Sequence, residues 1–299
     1  MSADANQVVL ERMTWQQAQA AAEQGRVLII PVGATEQHGP HLPLGTDAIV
    51  AFELACRVAR VAGAVVAPAI YFAARSSPRS GGGGRSFPGS TGVTGGTLIN
   101  VVKDVTDEFF RTGFRRIAYL NGHYENTTLL YEALTEVLDQ HPCGQKAILV
   151  NWWEQLVAAD VDRIFGGNFP GWEAEHAGVA ETSLMEELRP DLVRADAKGQ
   201  GGVARMTTYD IFPPPPDVIP PTGVPWRSDL ANAKIGKYLA DALTARIGGI
   251  LAAEFPASPA AGSASSGAQA ASPAGSRSSA GSANPGEDSG DSADLTYAR

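Results

Sequence analysis

Hydrophobic positions along the first 255 residues follow two periods that alternate. Short apolar runs, "RVLIIPVG" (26–33), "AVVAPAI" (64–70), "RRIAYLNG" (115–122) and "KAILVNWW" (146–153), read as strands. Their near-continuous Val, Ile and Leu content predicts burial on both faces, the mark of a parallel sheet. Between them, apolar residues recur at helical spacing. Thr14 with Gln17 forms a capping box that opens a helix closed by Gly25. Further helices are expected over 47–63, 97–113, 125–141 and 180–188. A last one over 231–255 is expected to break at Gly248 and Gly249. Strands alternating with helices predict an α/β fold with helices covering both faces of the sheet. Ligands of such sheets lie beyond the carboxyl ends of the strands, so the residues just after each strand are the ones to inspect.

The pattern stops near Phe255. From Pro256 to Arg299 the chain is almost wholly Ala, Ser, Gly and Pro with an acidic finish. Such a segment cannot offset its ordering entropy by apolar burial and is expected to be a disordered tail. The working unit is therefore 1–255, one catalytic domain, with 256–299 as the tail.

Charge and cysteine content narrow the chemistry. A net charge of −9 over 299 residues argues against nucleic acid as a partner, since phosphate binding needs a basic face. The two cysteines, Cys56 and Cys143, give neither a disulfide framework nor a thiolate zinc site and suit a reducing cytoplasm. No leader pattern opens the sequence and no run reaches membrane-spanning length, so no membrane partner is expected.

The strand ends gather imidazoles and carboxylates. Glu36, His38, His41 and Asp47 follow the first strand, and His123, Tyr124, Glu125 and Asn126 follow the third. "PGWEAEHAGVAETS" places Trp172, Glu173, Glu175 and His176 just before a helix. Either loop alone reads as a polar surface turn, but the convergence of three segments favours a site. A His and carboxylate set without thiolates suits Zn²⁺, Mn²⁺ or Fe²⁺. Two histidines with three carboxylates exceed one tetrahedral ion and fit two ions ~3.5–4 Å apart, which activate water and polarise a carbonyl. A further histidine could protonate a leaving nitrogen. Trp152 and Trp153 close the fourth strand. As neighbours in an extended segment they should point to opposite faces, so at most one faces a pocket.

Two segments carry weaker signals. "RSSPRSGGGGRSFPGSTG" lacks the Gly-Lys-Ser/Thr ending of a phosphate loop and reads as a substrate-contacting loop beside the site. "IFPPPPDVIPPTGVP" reads as a rigid polyproline-like surface segment.

"PVGATEQHGPHLPLGTD", "NGHYEN", "GWEAEHAGVAETSLM" and "YDIFP" together resemble the creatininase family, from about Met13 to Phe255. The resemblance implies a three-layer α/β/α protein with zinc or manganese, assembled as a homohexamer. It implies that Glu36 and His123 ligate one metal and His38 and Glu125 the other, with Asp47 bridging. It further implies that His176 protonates the departing ring nitrogen, that Trp153 and Trp172 flank the pocket, and that Tyr124 and Ser80 face the substrate. Glu173 stands beside Trp172 where the family pattern has Asp. The implied reaction is reversible ring opening of creatinine to creatine, with Glu125 sharing in catalysis. Another cyclic, formyl or peptide amide is the alternative substrate. A metal-dependent scaffold using the proline-rich segment and tail for docking is the alternative class.

Overall fold

Four parallel strands form the centre of the computed structural model: β1 Leu28–Val32, β2 Val65–Val66, β3 Arg116–Asn121 and β4 Lys146–Asn151. Their order is β2-β1-β3-β4. The structure describes residues 7–77, 80–141, 144–202, 205 and 207–256. The expected tail, apart from its first residue, lies outside the described residues, as does Cys143. In register, Val32 pairs with Asn121 and Asn121 with Asn151, so β1, β3 and β4 end level.

Alternation within the strands builds two cores. Leu28, Ile30, Val32, Ile117 and Tyr119 turn to one face. There they meet Leu98, Val102 and Phe110 of α3 (Gly95–Arg111) and Leu130 and Val137 of α4 (Asn126–Asp139). Ile29, Ala118, Leu120 and Val150 turn to the other. They pack on Leu54 and Val58 of α2 (Thr46–Ala62), Leu184 and Met185 of α6 (Val179–Leu188), and Leu239 and Leu243 of α7 (Ala233–Glu254). Each such side chain contributes roughly 1.5–3 kcal/mol on burial. The sheet is thus covered on both faces, an α/β fold of three layers.

Local signals account for most boundaries. The Thr14–Gln17 capping box opens α1 (Trp15–Glu23), and Gly63 ends α2 at φ +65°. Three expectations need correction. α7 runs unbroken through Gly248 and Gly249, because burial of Leu239, Leu243, Ile247 and Leu251 outweighs about 1 kcal/mol per glycine. A helix not expected, α5 (Ala158–Phe165), is held by Asp160, which accepts from Val157 N at 2.8 Å and pairs with Arg246 at 2.5 Å. Trp152 and Trp153 do not extend β4; they start a 3-10 turn, Trp152–Gln155. No helix among the described residues is long and apolar enough to cross a membrane.

Candidate metal centre and active site

Two glycines decide where the central carboxylate sits. Gly33 leaves β1 and Gly122 leaves β3, and a Cβ on Gly33 would strike the backbone of Ala48, one on Gly122 that of Asp47. The bare backbones let the first turn of α2 wedge between two strand ends, carrying Asp47 into the crevice. The loop 35–45 then brings Glu36 and His38 from β1, while His123 and Glu125 follow β3. Glu36, His38, Asp47 and His123 are each at most 4% exposed, a burial that charged groups tolerate only when paired or metal-bound.

These side chains form two triads. Glu36, Asp47 and His123 offer ligand atoms all within 4.8 Å of one another, and so do His38, His176 and Glu181. Asp47 faces both: Oδ2 lies 3.0 Å from His123 Nδ1 and Oδ1 lies 2.8 Å from His38 Nε2. Glu36 Oε2 is 3.2 Å from His123 Nδ1, and Glu181 Oε2 is 3.6 Å from His38 Nε2. His38 Nδ1 lies 3.1 Å from the carbonyl of Glu36. A proton donated there leaves Nε2 with a lone pair aimed at the carboxylates, the usual support for a metal-binding imidazole.

The electrostatics are those of a crowded polar interior. Burial, only partly offset by His123, pushes Glu36 up to about 8, and burial pushes Glu181 up to about 7. For His38 burial opposes the charge, but Asp47, Glu181 and Glu36 outweigh it and raise it to about 10. His123 reaches about 10 in the same way, with Glu125 the leading attraction. Burial works against charge on Asp47 too, yet His38 and His123 hold it well below the usual range. His176 is driven well below its ordinary value by burial and by the charge of His38. Both oxygens of Glu36, His38 Nε2, Asp47 Oδ2 and His123 Nε2 are buried without a well-aligned hydrogen bond. Orphaned atoms of these types, on all three members of the first triad and on His38 of the second, fit divalent cations.

The remaining expected residues line the pocket above the triads, whose empty volume is about 400 Å³ including its mouth. Ser80, Tyr124, Trp153, Trp172, Glu173 and His176 are all on its wall. Glu125 is there too, but the structure brings it into neither triad. Its carboxylate accepts from Ser77 N at 2.7 Å and from the Ser80 hydroxyl, and lies 3.3 Å from His123 Nε2. His41 stays outside the pocket, buried against Thr182. Burial and the charge of His38 pull it down to about 4. Because the 3-10 turn replaces extended chain, Trp152 and Trp153 both reach the pocket, against the expectation of one. Trp152 packs edge-on against Trp153 at 5.9 Å and Trp172 at 6.0 Å, and Trp153 lies 5.9 Å from Tyr124.

Sequence reasoning missed Glu181, named Glu175 beside His176 without giving it a role, and allowed only one of Trp152 and Trp153 at the pocket. Nothing local marked Glu181: it stands beside Thr182 and Ser183 in "VAETSLM", and only the structure shows that whole stretch to be buried. Glu175 accepts from Ala180 N at 2.7 Å, and burial followed by the charge of Glu181 pushes it well above the carboxylate range.

Comparison with known proteins agrees with this geometry. The family model Creatininase, described as creatinine amidohydrolase, matches residues 11–251. The creatinine amidohydrolase of Pseudomonas putida is 34% identical over 255 residues, 83% of this chain and 98% of that protein. The 3-dehydro-scyllo-inosose hydrolase of Thermotoga maritima is 34% identical over 63% of this chain and 58% of its own length. A mycofactocin precursor peptide peptidase of Mycolicibacterium smegmatis is 30% identical over 60% of this chain and 65% of its own. A mutant creatininase complexed with creatine superposes with a TM-score of 0.80 at 33% identity, covering 84% of this chain and 99% of that one. Creatininase structures of the same similarity include a manganese form and a zinc–zinc form. The chain belongs to the creatininase family.

Proposed function

We propose that this protein is a dinuclear-metal amidohydrolase that opens the ring of creatinine to creatine, reversibly. The observation that carries the reading is the division of the Asp47 carboxylate, one oxygen toward each triad. Glu36, Asp47 and His123 would hold one zinc or manganese ion, and His38, Asp47 and Glu181 the other. Bound there, two divalent ions supply a water acidic enough to attack at neutral pH and a positive field for the developing oxyanion. The protein's own residues do the rest. Trp152, Trp153 and Trp172 form an apolar wall that seats a flat ring and excludes bulk water. Ser77 and Ser80 fix the Glu125 carboxylate, which stands outside both triads and can take up a proton from the attacking water. His176, kept neutral at rest by burial and the charge of His38, passes to the departing ring nitrogen the proton that Glu125 takes from the water. Hydrolysis of the lactam then balances as water added across the C–N bond, giving one carboxylate and one N–H of the guanidino group.

His176 also lies within reach of His38 and Glu181, and one variant separates its roles. His176→Ala should retain two ions and lose turnover by about 10²–10⁴-fold if it is a proton donor. Loss of one ion would make it a ligand instead. The overall reading is tested by creatinine turnover of the metal-loaded chain with and without chelator; no creatine formed would overturn the substrate assignment. The second reading keeps the site and changes the amide. It is favoured by the inosose hydrolase and peptide peptidase relatives, and a panel of cyclic, formyl and peptide amides decides it. A cytoplasmic setting and a homohexameric assembly belong to the same proposal. The solution mass, set against the 31.2 kDa chain, tests the assembly.

A further inference from the structure

His41 has no place in the chemistry above, yet it is 1% exposed, with Nδ1 buried without a hydrogen-bond partner and Nε2 bonded. Its Nε2 lies 2.9 Å from the hydroxyl of Thr182. That hydroxyl lies 3.2 Å from the carbonyl of Ala177, to which it donates. A hydroxyl has one proton, so its oxygen must accept from His41 Nε2–H. The relay therefore runs one way, from imidazole to hydroxyl to carbonyl.

Ala177, where the relay ends, is strained. Its φ is +52°, the one non-glycine residue with positive φ among the described residues, and it is fully buried. The left-handed region is unfavourable for a residue with a Cβ, so the surroundings must hold it there. Two contacts do so: Thr182 grips its carbonyl, and its N–H donates to Glu181 Oε2 at 2.7 Å. The residue on one side is His176, and α6, which carries Glu181, begins two positions beyond it. The turn at Ala177 thus sets where His176 and Glu181, two of the three members of the second triad, point.

We propose that His41 is a positioning residue for the second metal site, acting through Thr182 to lock the Ala177 turn. This rests on the two-ion reading above. If the lock is released, the Glu181 carboxylate loses its backbone donor and the His38 side of the centre loosens. The first triad takes no ligand from the segment around Ala177 and keeps its geometry.

The test is titration of the chelator-stripped full chain with zinc, followed calorimetrically with thermal melting alongside. Wild type should take up two ions. His41→Ala and Thr182→Val should bind the first ion as wild type does and the second roughly 10–100-fold more weakly, the usual size of such outer-shell effects. His41→Gln, which restores an N–H donor at similar reach, and Thr182→Ser, which restores the hydroxyl, should recover most of the loss. A merely structural role would lower the melting temperature without separating the two ions. Unchanged affinity for both ions in His41→Ala, or in Thr182→Val should His41→Ala not fold, overturns the inference while leaving the two-ion reading intact. A single ion in wild type overturns that reading itself, and this inference with it.

Discussion

Asp47 is the residue on which the centre turns. Because each of its oxygens addresses a different histidine, Asp47→Ala should lower bound metal from two ions per chain toward none. Glu36→Gln and Glu181→Gln should each lose one, as metal analysis of the purified variants will show. Ala177 gives a second check at this scale. Glycine suits φ +52°, so Ala177→Gly should melt within a few degrees of wild type, its relief of strain offset by a freer unfolded chain. Ala177→Val should cost more than about 2 kcal/mol, read from denaturant unfolding. The sequence made Glu36 and His38 visible because they stand together after a strand, and His123 because it follows another. Glu181 was harder to find, since its partner His38 lies 143 positions away and no local spacing joins them.

At the scale of elements, the seat of α2 between β1 and β3 depends on two absent side chains. Gly33→Ala or Gly122→Ala must push the helix start outward, at about 1–3 kcal/mol and with weakened metal uptake. Both effects should appear in one set of melts with and without zinc. α5 depends on Asp160, which Arg246 and the Tyr238 hydroxyl hold at a pKa of about 2. Asp160→Asn should therefore destabilise the fold by about 1–3 kcal/mol. A depressed carboxylate contributes above its unfolded pKa near 4 and is lost as pH falls through about 2, so this difference should vanish in acid. The strands and long helices could be read from periodicity, because each buries a continuous face. The Trp152–Gln155 turn and α5 could not. Each is too short to show a period, and each is fixed by distant partners, Trp172 in one case and Arg246 in the other.

For the whole molecule, metal, protons and stability are linked. Burial raises Glu36 to about 8 and Glu181 to about 7, so without metal both hold protons near neutrality that they must release to bind a cation. Zinc affinity should rise from pH 6 to 9, with protons released, as calorimetry in buffers of different ionisation heat will detect. The sign for stability is the reverse. A carboxyl whose folded pKa is raised stabilises the metal-free fold below its unfolded value near 4.3 and loses that contribution as pH climbs through 7 to 8. The stripped chain should therefore melt lower at pH 8.5 than at pH 6, and metal at a thousandfold excess over its dissociation constant should add about 4 kcal/mol. The level ends of β1, β3 and β4 have a kinetic consequence as well. The donors come from residues 36–47, from 123 and from 176–181, segments that meet only once the parallel strands have paired and α6 has docked. A cobalt ion substituted at this centre would take on its ligand-field colour last, making visible absorbance a clock for the final step of refolding.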